Sequence, residues 1–262
     1  MTRFLFLGTG AADYDMARDI NTEGFRALSG MLIDGHIMID CGVGAFVYED
    51  RFGKSGIFSD VDTVFMTHSH ADHFDPKCVS RLCKESKKHI TLYGDKIFDK
   101  LLPKEEKLTF VPLDARYHES VVCGKYTVTA LRSNHATELP EEQTHHYLFE
   151  GEKNFFIGFD GGWLIADTWE VLEKKHIDVY IADATCGDSH ECTYNFRNYS
   201  HNNRLMIDMI YDTAINCKVM DENSRLIMTH LARTLHPTHK EVEESVKDKG
   251  YIVAYDGFTY EF

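Results

Sequence analysis

The stretch MTHSHADHFD, residues 66–75, places three histidines and two aspartates in ten positions, directly after the apolar run VDTVF. Side chains two positions apart on a strand point to the same face, so His68 and His70 project together where the strand ends. The turn that follows can bring Asp72 and His73 back towards them. Such a polar cluster is costly without a partner, and a divalent cation is the simplest one. The motif H-x-H-x-D-H therefore predicts a metal site.

Three other residues of the same types stand where a predicted strand ends. His135 ends TALRSNH, Asp160 ends NFFIGFD and His230 ends RLIMTH. Functional side chains of α/β proteins collect at strand ends, where the core opens to solvent. Each residue alone is typical of a turn or a cap, but the neighbouring motif makes all three candidates for the same site.

Composition bounds the class of protein. The chain has 262 residues, 43% of them hydrophobic, which is enough for a substantial core. Its net charge of −14 argues against a partner bound through a phosphate backbone, because that requires a surplus of Lys and Arg. The seven cysteines include no C-x-x-C pair, which favours reduced thiols. Without a signal peptide, a membrane-spanning run, a repeat or a linker, we expect one cytoplasmic domain over residues 1–262.

Apolar runs and turn signals predict a strand-rich first part followed by alternating strands and helices. The Asp34-Gly35 pair predicts a hairpin within residues 31–40. Helices are predicted at 76–88, 167–176, 203–214 and 238–250. This order is typical of a layered α/β fold with more than one sheet.

Local signals predict the ends and faces of these helices. Asp167, three residues before Glu170, has the spacing of a capping box, and so does Thr238 before Glu241. Gly250 is expected to end the last helix. In the helix at 203–214, the spacing predicts one buried face formed by Leu205, Met206, Met209 and Ile210.

The motif THSHADH, together with Asp40 in MIDCG and the three strand-end residues in this order, resembles the metallo-β-lactamase-fold hydrolases. Within that superfamily the chain is most similar to the cyclic phosphodiesterases of phosphonate breakdown, the phosphoribosyl 1,2-cyclic phosphate phosphodiesterases of the carbon–phosphorus lyase pathway. The stretches that carry this finer resemblance are FLGTGAA, LRSNHATE, DVYIADATC, NYSHNN and YDGF. The order of these motifs covers nearly the whole chain.

The resemblance implies an α/β fold, a four-layer αβ/βα sandwich with two divalent metal ions at one edge. It assigns the first ion to His68, His70 and His135, and the second to Asp72, His73 and His230. Asp160 would bridge the ions, and a carboxylate suits that role because it has two oxygens. Asp40 would accept a hydrogen bond from a ligating imidazole. Zinc or manganese is the expected metal, with iron left open.

The resemblance also assigns a general acid to His201, which lies in YSHNN just before the predicted helix at 203–214. A helix start carries positive potential that suits a phosphate group. We expect this potential to lower the pKa of His201 and a bound phosphate to raise it again. A surface histidine next to a helix cap remains the alternative.

These observations predict a dinuclear metal-dependent hydrolase that cleaves a small, anionic, possibly cyclic phosphodiester. A hydroxide held by the metals would attack phosphorus, and the catalytic residues would be His201, Asp72 and Asp160. No nucleic acid or membrane partner is expected, and a homodimer is left open. The alternatives are a tRNA 3′-processing endonuclease, a thioester, lactone or β-lactam hydrolase, a redox di-iron protein and a non-catalytic binding protein.

The sequence also departs from the resembled phosphodiesterases. The loop DYDMARDINTEGFRALSG lacks the cysteines of their structural zinc site, and Arg233 stands where the later histidine is expected. We therefore expect no structural zinc. His190, between Cys186 and Cys192, fits no zinc module. His145 and His146 begin a strand, so one is expected in the core and the other in solvent.

Overall fold

A computed structural model describes residues 1–188 and 200–262. In chain order, the strands are β1 (Arg3–Gly8), β2 (Gly30–Ile33), β3 (Ile37–Ile39), β4 (Thr63–Phe65), β5 (Ile90–Gly94), β6 (Leu108–Pro112), β7 (Ser120–Cys123), β8 (Tyr126–Arg132), β9 (His145–Glu150), β10 (Phe155–Gly158), β11 (Val179–Asp183), β12 (Arg225–Thr229), β13 (Ile252–Val253) and β14 (Thr259–Glu261). The α-helices are α1 (Val43–Phe52), α2 (Pro76–Glu85), α3 (Phe98–Leu101), α4 (Ala166–Leu172), α5 (Arg204–Asn216) and α6 (His239–Val246). Short 3₁₀ turns lie at Ala115–Tyr117 and Lys247–Lys249.

In the described residues these strands form two seven-stranded mixed sheets. The first sheet has the order β14-β1-β2-β3-β4-β5-β6, and the second has the order β13-β12-β11-β10-β9-β8-β7. Strands β3 to β6 run parallel, as do β10 to β13, while the hairpins pair antiparallel. The predicted hairpin at Asp34-Gly35 is present, and both of its turn residues have positive φ.

The core lies in three layers of apolar contacts. Between the sheets, aromatic side chains from both sides pack together, and the rings of Phe4 and Phe155 lie 4.9 Å apart. The outer face of the first sheet is covered by α1, α2 and α3, and that of the second by α4, α5 and α6. The predicted four-layer αβ/βα sandwich is therefore confirmed.

The predicted helix details hold in part. Thr238 and Glu241 form the capping box of α6, and Gly250, with φ of +70°, ends the turn after it.

Helix α4 begins after Ile165, so Asp167 lies in its first turn and the predicted cap there is wrong. In α5 the buried residues are Met206, Ile207, Ile210 and Ala214, whereas Leu205 and Met209 are exposed.

The prediction that His145 and His146 divide between core and solvent is wrong, because both are buried. Strand β9 lies between β8 and β10, so one of its faces packs on the other sheet and the opposite face packs under helices. Burial lowers the pKa of His145 to about 3 and that of His146 to about 4. Both imidazoles are therefore neutral parts of the core.

Helix α1 has no counterpart among the predicted helices. It begins after Gly42, and a glycine has no side chain that could cap the helix. A Cβ at Gly42 would lie 2.8 Å from the carbonyl oxygen of Asp72 and 3.0 Å from the carbonyl carbon of His73. The start of α1 therefore packs directly against the backbone of the metal-site motif, which explains why a glycine stands there.

Among the described residues, no helix is both long and apolar enough to cross a membrane. Cys41, Cys78, Cys83, Cys123 and Cys217 form no disulfide. The single-domain assignment over residues 1–262 stays a prediction.

Gly42→Ala is expected to lower the free energy of unfolding by about 1–3 kcal/mol, because the added methyl group overpacks the contact with the motif backbone. Urea unfolding followed by circular dichroism measures this change. The matched control is Gly30→Ala, where the nearest atom to a new Cβ lies 3.7 Å away, an ordinary contact distance. Equal stability losses in the two variants would contradict the close approach at Gly42.

Candidate metal centre

Three histidines from two loops converge beyond the end of β4. His68 Nε2 lies 3.0 Å from His70 Nδ1, and His135 Nε2 lies 3.1 Å from the same His70 atom. His68 and His70 come from the loop after β4, and His135 comes from the loop after β8. The structure thus brings together the three residues assigned to the first ion.

A second cluster lies on the other side of Asp160. His73 Nε2 and His230 Nε2 are 3.2 Å apart, and Asp72 Oδ2 lies 3.2 Å from His230 Nε2. The backbone N–H groups of His73 and Phe74 both donate to the carbonyl of His70, which closes the turn that brings this part of the motif back. The residues assigned to the second ion are therefore also together.

The carboxylate of Asp160 divides its two oxygens between the clusters. Oδ2 lies 3.6 Å from His68 Nε2 and 3.7 Å from His135 Nε2. Oδ1 lies 3.0 Å from His230 Nε2 and 3.2 Å from His73 Nε2. Ligands about 2.0–2.1 Å from a tetrahedral metal are separated by about 3.3–3.4 Å, so these distances suit one ion on each side.

The chemistry of the donor set fits divalent ions as well. Oδ1 of Asp160 is buried and has no hydrogen-bond partner among the described residues. A buried carboxylate oxygen beside imidazole nitrogens needs a positive charge next to it, either from a protonated imidazole or from a bound cation. Among the described residues, three His/Asp groups that share Asp160 could hold a metal ion. Two of them are the clusters described above, and the third joins Asp160 and His230 to Asp183 and His201.

Three side chains of the site stand on backbone in a rarely adopted conformation. Asp40, Asp160 and His230 have φ of +60°, +43° and +59°, in the left-handed region that non-glycine residues seldom adopt. Asp40 directly follows β3, His230 directly follows β12, and Asp160 comes two residues after β10. Such strain costs about 1–3 kcal/mol per residue and is found where the surrounding structure holds a functional group in place.

Asp40 holds His73 from behind. Its Oδ2 lies 2.7 Å from Nδ1 of His73, and its Oδ1 accepts hydrogen bonds from the backbone N–H and the hydroxyl of Thr67. Both carboxylate oxygens are thus engaged, and the side chain is fully buried. The carboxylate leaves Nε2 of His73 as the nitrogen that faces the cluster.

Charges in the site change the protonation of the histidines. Burial alone would lower the pKa of His73, but three surrounding carboxylates raise it well above its usual range: Asp160, Asp72 and Asp40. Burial and the neighbouring His73 charge hold the pKa of His68 well below its usual range. Because a ligand imidazole must be neutral, a metal ion that bound His73 would displace a proton.

Sequence reasoning missed Asp183, which ends β11 beside the clusters. Its Oδ2 lies 2.8 Å from Nδ1 of His201 and accepts the backbone N–H of Gly161. Its Oδ1 accepts the hydroxyl of Thr185, whose oxygen lies 2.7 Å from Nδ1 of His230. The signal was present, because Asp183 stands at the end of an apolar strand as Asp160 and His230 do.

His201 lines the cleft, and its pKa differs from the expectation. Burial lowers the pKa of His201, but the nearby carboxylates of Asp183, Asp160 and Asp72 outweigh burial and raise it to about 9. The expected lowering by a helix start is wrong, since α5 begins only at Arg204 while Asp183 touches the ring.

The clusters open into a cavity of about 400 Å³. The turn at Ala11 and Ala12 forms one wall, and Glu138 lies at its mouth, with Oε2 3.4 Å from Nε2 of His70. Asp13, which also lines the cavity, accepts the backbone N–H of Arg233 with its carboxylate. Arg233 is the residue that stands where the resembled phosphodiesterases have a histidine of their structural zinc site. His190 and Cys192 lie outside the described residues.

Comparisons with known proteins agree with this architecture. Residues 36–231 match the family described as the beta-lactamase superfamily domain. The metallo-beta-lactamase fold protein YhfI from Bacillus subtilis superimposes with a TM-score of 0.72 at 17% identity, over 100% of both chains. A diphosphatase from the PhnP family superimposes with a TM-score of 0.70 at 18% identity, over 100% of this chain and 98% of that one. At such identities the likeness shows the fold.

Two curated proteins match shorter stretches. Ribonuclease Z of Lachnospira eligens is 33% identical over 113 residues, 38% of this chain and 36% of that protein. Ribonuclease Z of Myxococcus xanthus is 38% identical over 74 residues, 28% of this chain and 22% of that protein. The chain therefore matches only about a third or less of each relative's length.

The family match covers most of the chain, so this protein belongs to the beta-lactamase superfamily and has the metallo-β-lactamase fold. The predicted class, a metal-dependent hydrolase, is confirmed with it.

Asp40→Asn is expected to weaken metal binding about 10–100-fold, because the neutral amide no longer holds His73 as the anionic carboxylate does. Competition against a chromophoric chelator measures the affinity. The matched control is Asp62→Asn, which alters the surface pair between His36 Nδ1 and Asp62, 3.0 Å apart, and leaves the clusters untouched. Metal affinity unchanged by Asp40→Asn would contradict its positioning role.

Proposed function

We propose that the protein is a dinuclear metal-dependent phosphodiesterase that acts on a small phosphodiester, cyclic ones included. The observation that carries this proposal is the position of Asp160, whose two carboxylate oxygens each face a separate cluster of nitrogen and oxygen ligands. Similarity to a diphosphatase from the PhnP family in fold, and to ribonuclease Z proteins over short stretches, agrees with phosphodiester chemistry.

The ligand assignment proposed for the two ions follows the geometry. His68, His70 and His135 would hold the first ion, Asp72, His73 and His230 the second, and Asp160 both. Zinc or manganese suits this mixture of imidazole and carboxylate, and iron is a third candidate. When bound, two such ions lower the pKa of a water and neutralise charge on a phosphoryl group.

His201 is proposed as the general acid for the departing alkoxide. Its Nδ1 is engaged by Asp183, so Nε2 is the nitrogen left to hold a proton towards the cavity. A buried carboxylate behind an imidazole fixes its tautomer and stabilises the imidazolium. The ring stacks on that of His230 with centroids 5.6 Å apart, which keeps the acid next to the second cluster.

The cleft suits a small substrate better than a long polyanion. No lysine or arginine from the described parts of the chain lines the cavity, and the whole chain has a charge of −14. A nucleic acid backbone would need surplus cationic side chains along its path. We therefore propose that the substrate is a small anionic ester attracted by the ions, and that the protein has no nucleic acid partner. We also propose that the protein acts in the cytoplasm without a membrane partner.

The second candidate is tRNA 3′ processing. The stretches that are 33% and 38% identical to ribonuclease Z proteins favour it. They span only 36% and 22% of those proteins, so they do not carry over the activity of the whole relatives. A thioester or lactone hydrolase on the same fold stays a further alternative.

A turnover panel on metal-analysed protein tests the proposal. The substrates are a cyclic ribose phosphate, a linear aryl phosphodiester, a precursor tRNA and a thioester. We expect kcat/KM to be highest for one of the two small phosphodiesters. The control is Asp160→Ala, which should abolish turnover of every substrate while circular dichroism remains unchanged. Preferred cleavage of the precursor tRNA or the thioester would contradict the proposed substrate class.

Asp183→Asn is expected to move the alkaline limb of kcat/KM to lower pH for an alkyl phosphodiester. Asp183 raises the pKa of His201, so removing its charge lets His201 lose its proton at lower pH. A pH profile between about 6 and 10 measures the shift, in the range where His201 titrates.

The control for this profile is an activated aryl ester, whose leaving group departs without a proton. Its alkaline limb should be the same in the wild type and in Asp183→Asn. If wild type and Asp183→Asn also had the same pH profile of kcat/KM on the alkyl ester, His201 would not be the general acid.

A further inference from the structure

Glu142 lies in the loop between β8 and β9 and takes no part in the proposed chemistry. Its Oε2 accepts hydrogen bonds from the hydroxyl of Ser69, at 2.5 Å, and from that of Thr137, at 2.6 Å. Ser69 stands between His68 and His70, and Thr137 comes two residues after His135. One carboxylate oxygen therefore joins the two loops that supply the first cluster.

Other contacts between the two segments lie at the start of β9, where the backbone N–H of His145 donates to the carbonyl of Thr67 and the hydroxyl of Tyr147 donates to the carbonyl of Met66. The loop with His135 is braced within itself, because Thr144 donates its hydroxyl to the carbonyl of His135 and Leu139 donates its N–H to Thr137. The distance of 3.1 Å between His135 Nε2 and His70 Nδ1, however, depends on how the two loops are held relative to each other. Metal sites tolerate errors of only about 0.2 Å in ligand distance, so a clamp between the loops matters for affinity.

The second cluster has side-chain supports that do not involve Glu142. Asp40 holds His73, and Thr185 holds His230. Within the described residues, no hydrogen bond or ion pair joins Glu142 to any of these four residues, and its two partners lie next to ligands of the first cluster. A defect at Glu142 should therefore act on one ion of the two.

We propose that Glu142 is a positioning residue for the first metal ion, which joins the His68–His70 turn to the His135 loop. The inference rests on the proposed metal centre, but not on the proposed substrate. A glutamine can keep both contacts through its amide oxygen, because both hydroxyls donate. An alanine removes the acceptor, so the link between Ser69 and Thr137 is lost while the backbone bond from His145 to Thr67 remains.

The test compares Glu142→Ala, Glu142→Gln and wild type in the full chain loaded with Co²⁺ or Zn²⁺. Stepwise removal of metal by a chelator, with elemental analysis at each step, gives the affinity of each position. Cobalt absorption reports the geometry of the ligands. The matched control is Glu85→Ala. Glu142 and Glu85 are both half-buried, and in each of them one carboxylate oxygen has no hydrogen-bond partner in the described residues. The other oxygen of Glu85 accepts a hydrogen bond from Arg81 on α2, away from the metal centre.

We expect Glu142→Ala to lose one of two ions about 10–100-fold more easily than wild type, with a changed cobalt spectrum and the second ion retained. Glu142→Gln and Glu85→Ala should keep both ions at wild-type affinity. Two ions held by Glu142→Ala as tightly as by wild type would overturn the inference.

Other outcomes also decide. Equal weakening of both ions in Glu142→Ala, or failure of Glu142→Gln to restore binding, would overturn a selective clamp at the first position. Wild-type protein that binds fewer than two ions would instead contradict the proposed metal centre, and the clamp with it. Because no substrate is needed, a wrong phosphodiester assignment cannot be mistaken for either result.

Discussion

The carboxylate of Asp160 is the constraint on which the site depends. One of its oxygens faces His68 and His135, the other faces His73 and His230, and the side chain is buried on a left-handed backbone. An anion in that position is unstable without nearby positive charge. The protonated His73 supplies part of that charge in the chain alone, and divalent ions would supply it in the loaded protein.

The fold brings the required groups to one edge of two facing sheets. Asp40, Asp160, Asp183 and His230 lie at or just beyond the ends of strands from both sheets. Behind the clusters, buried carboxylates hold the imidazoles: Asp40 contacts His73, and Asp183 contacts His201. The edge of the two sheets is thus strained and highly charged, and the stability of the packed core offsets the free-energy cost of that strain and charge.

The sequence predicted the architecture and the groups nearest the cleft, because both leave short-range patterns. Strands and their ends follow from apolar runs, and H-x-H-x-D-H concentrates ligand types within one turn. Long-range packing explains what was missed. The expected division of His145 and His146 between core and solvent and the expected burial of Leu205 are wrong because the neighbours of β9 and α5 are distant in sequence. Glu142 and Thr185 have no local signal, since their roles arise only when separate loops meet.

Anomalous X-ray scattering from crystals of the metal-loaded protein tests the central claim most directly. The account predicts two peaks about 3.5–4 Å apart, one on each side of the Asp160 carboxylate. The first should lie among His68, His70 and His135, and the second among Asp72, His73 and His230. A single peak, or peaks away from Asp160, in protein that still hydrolyses its ester would contradict the account.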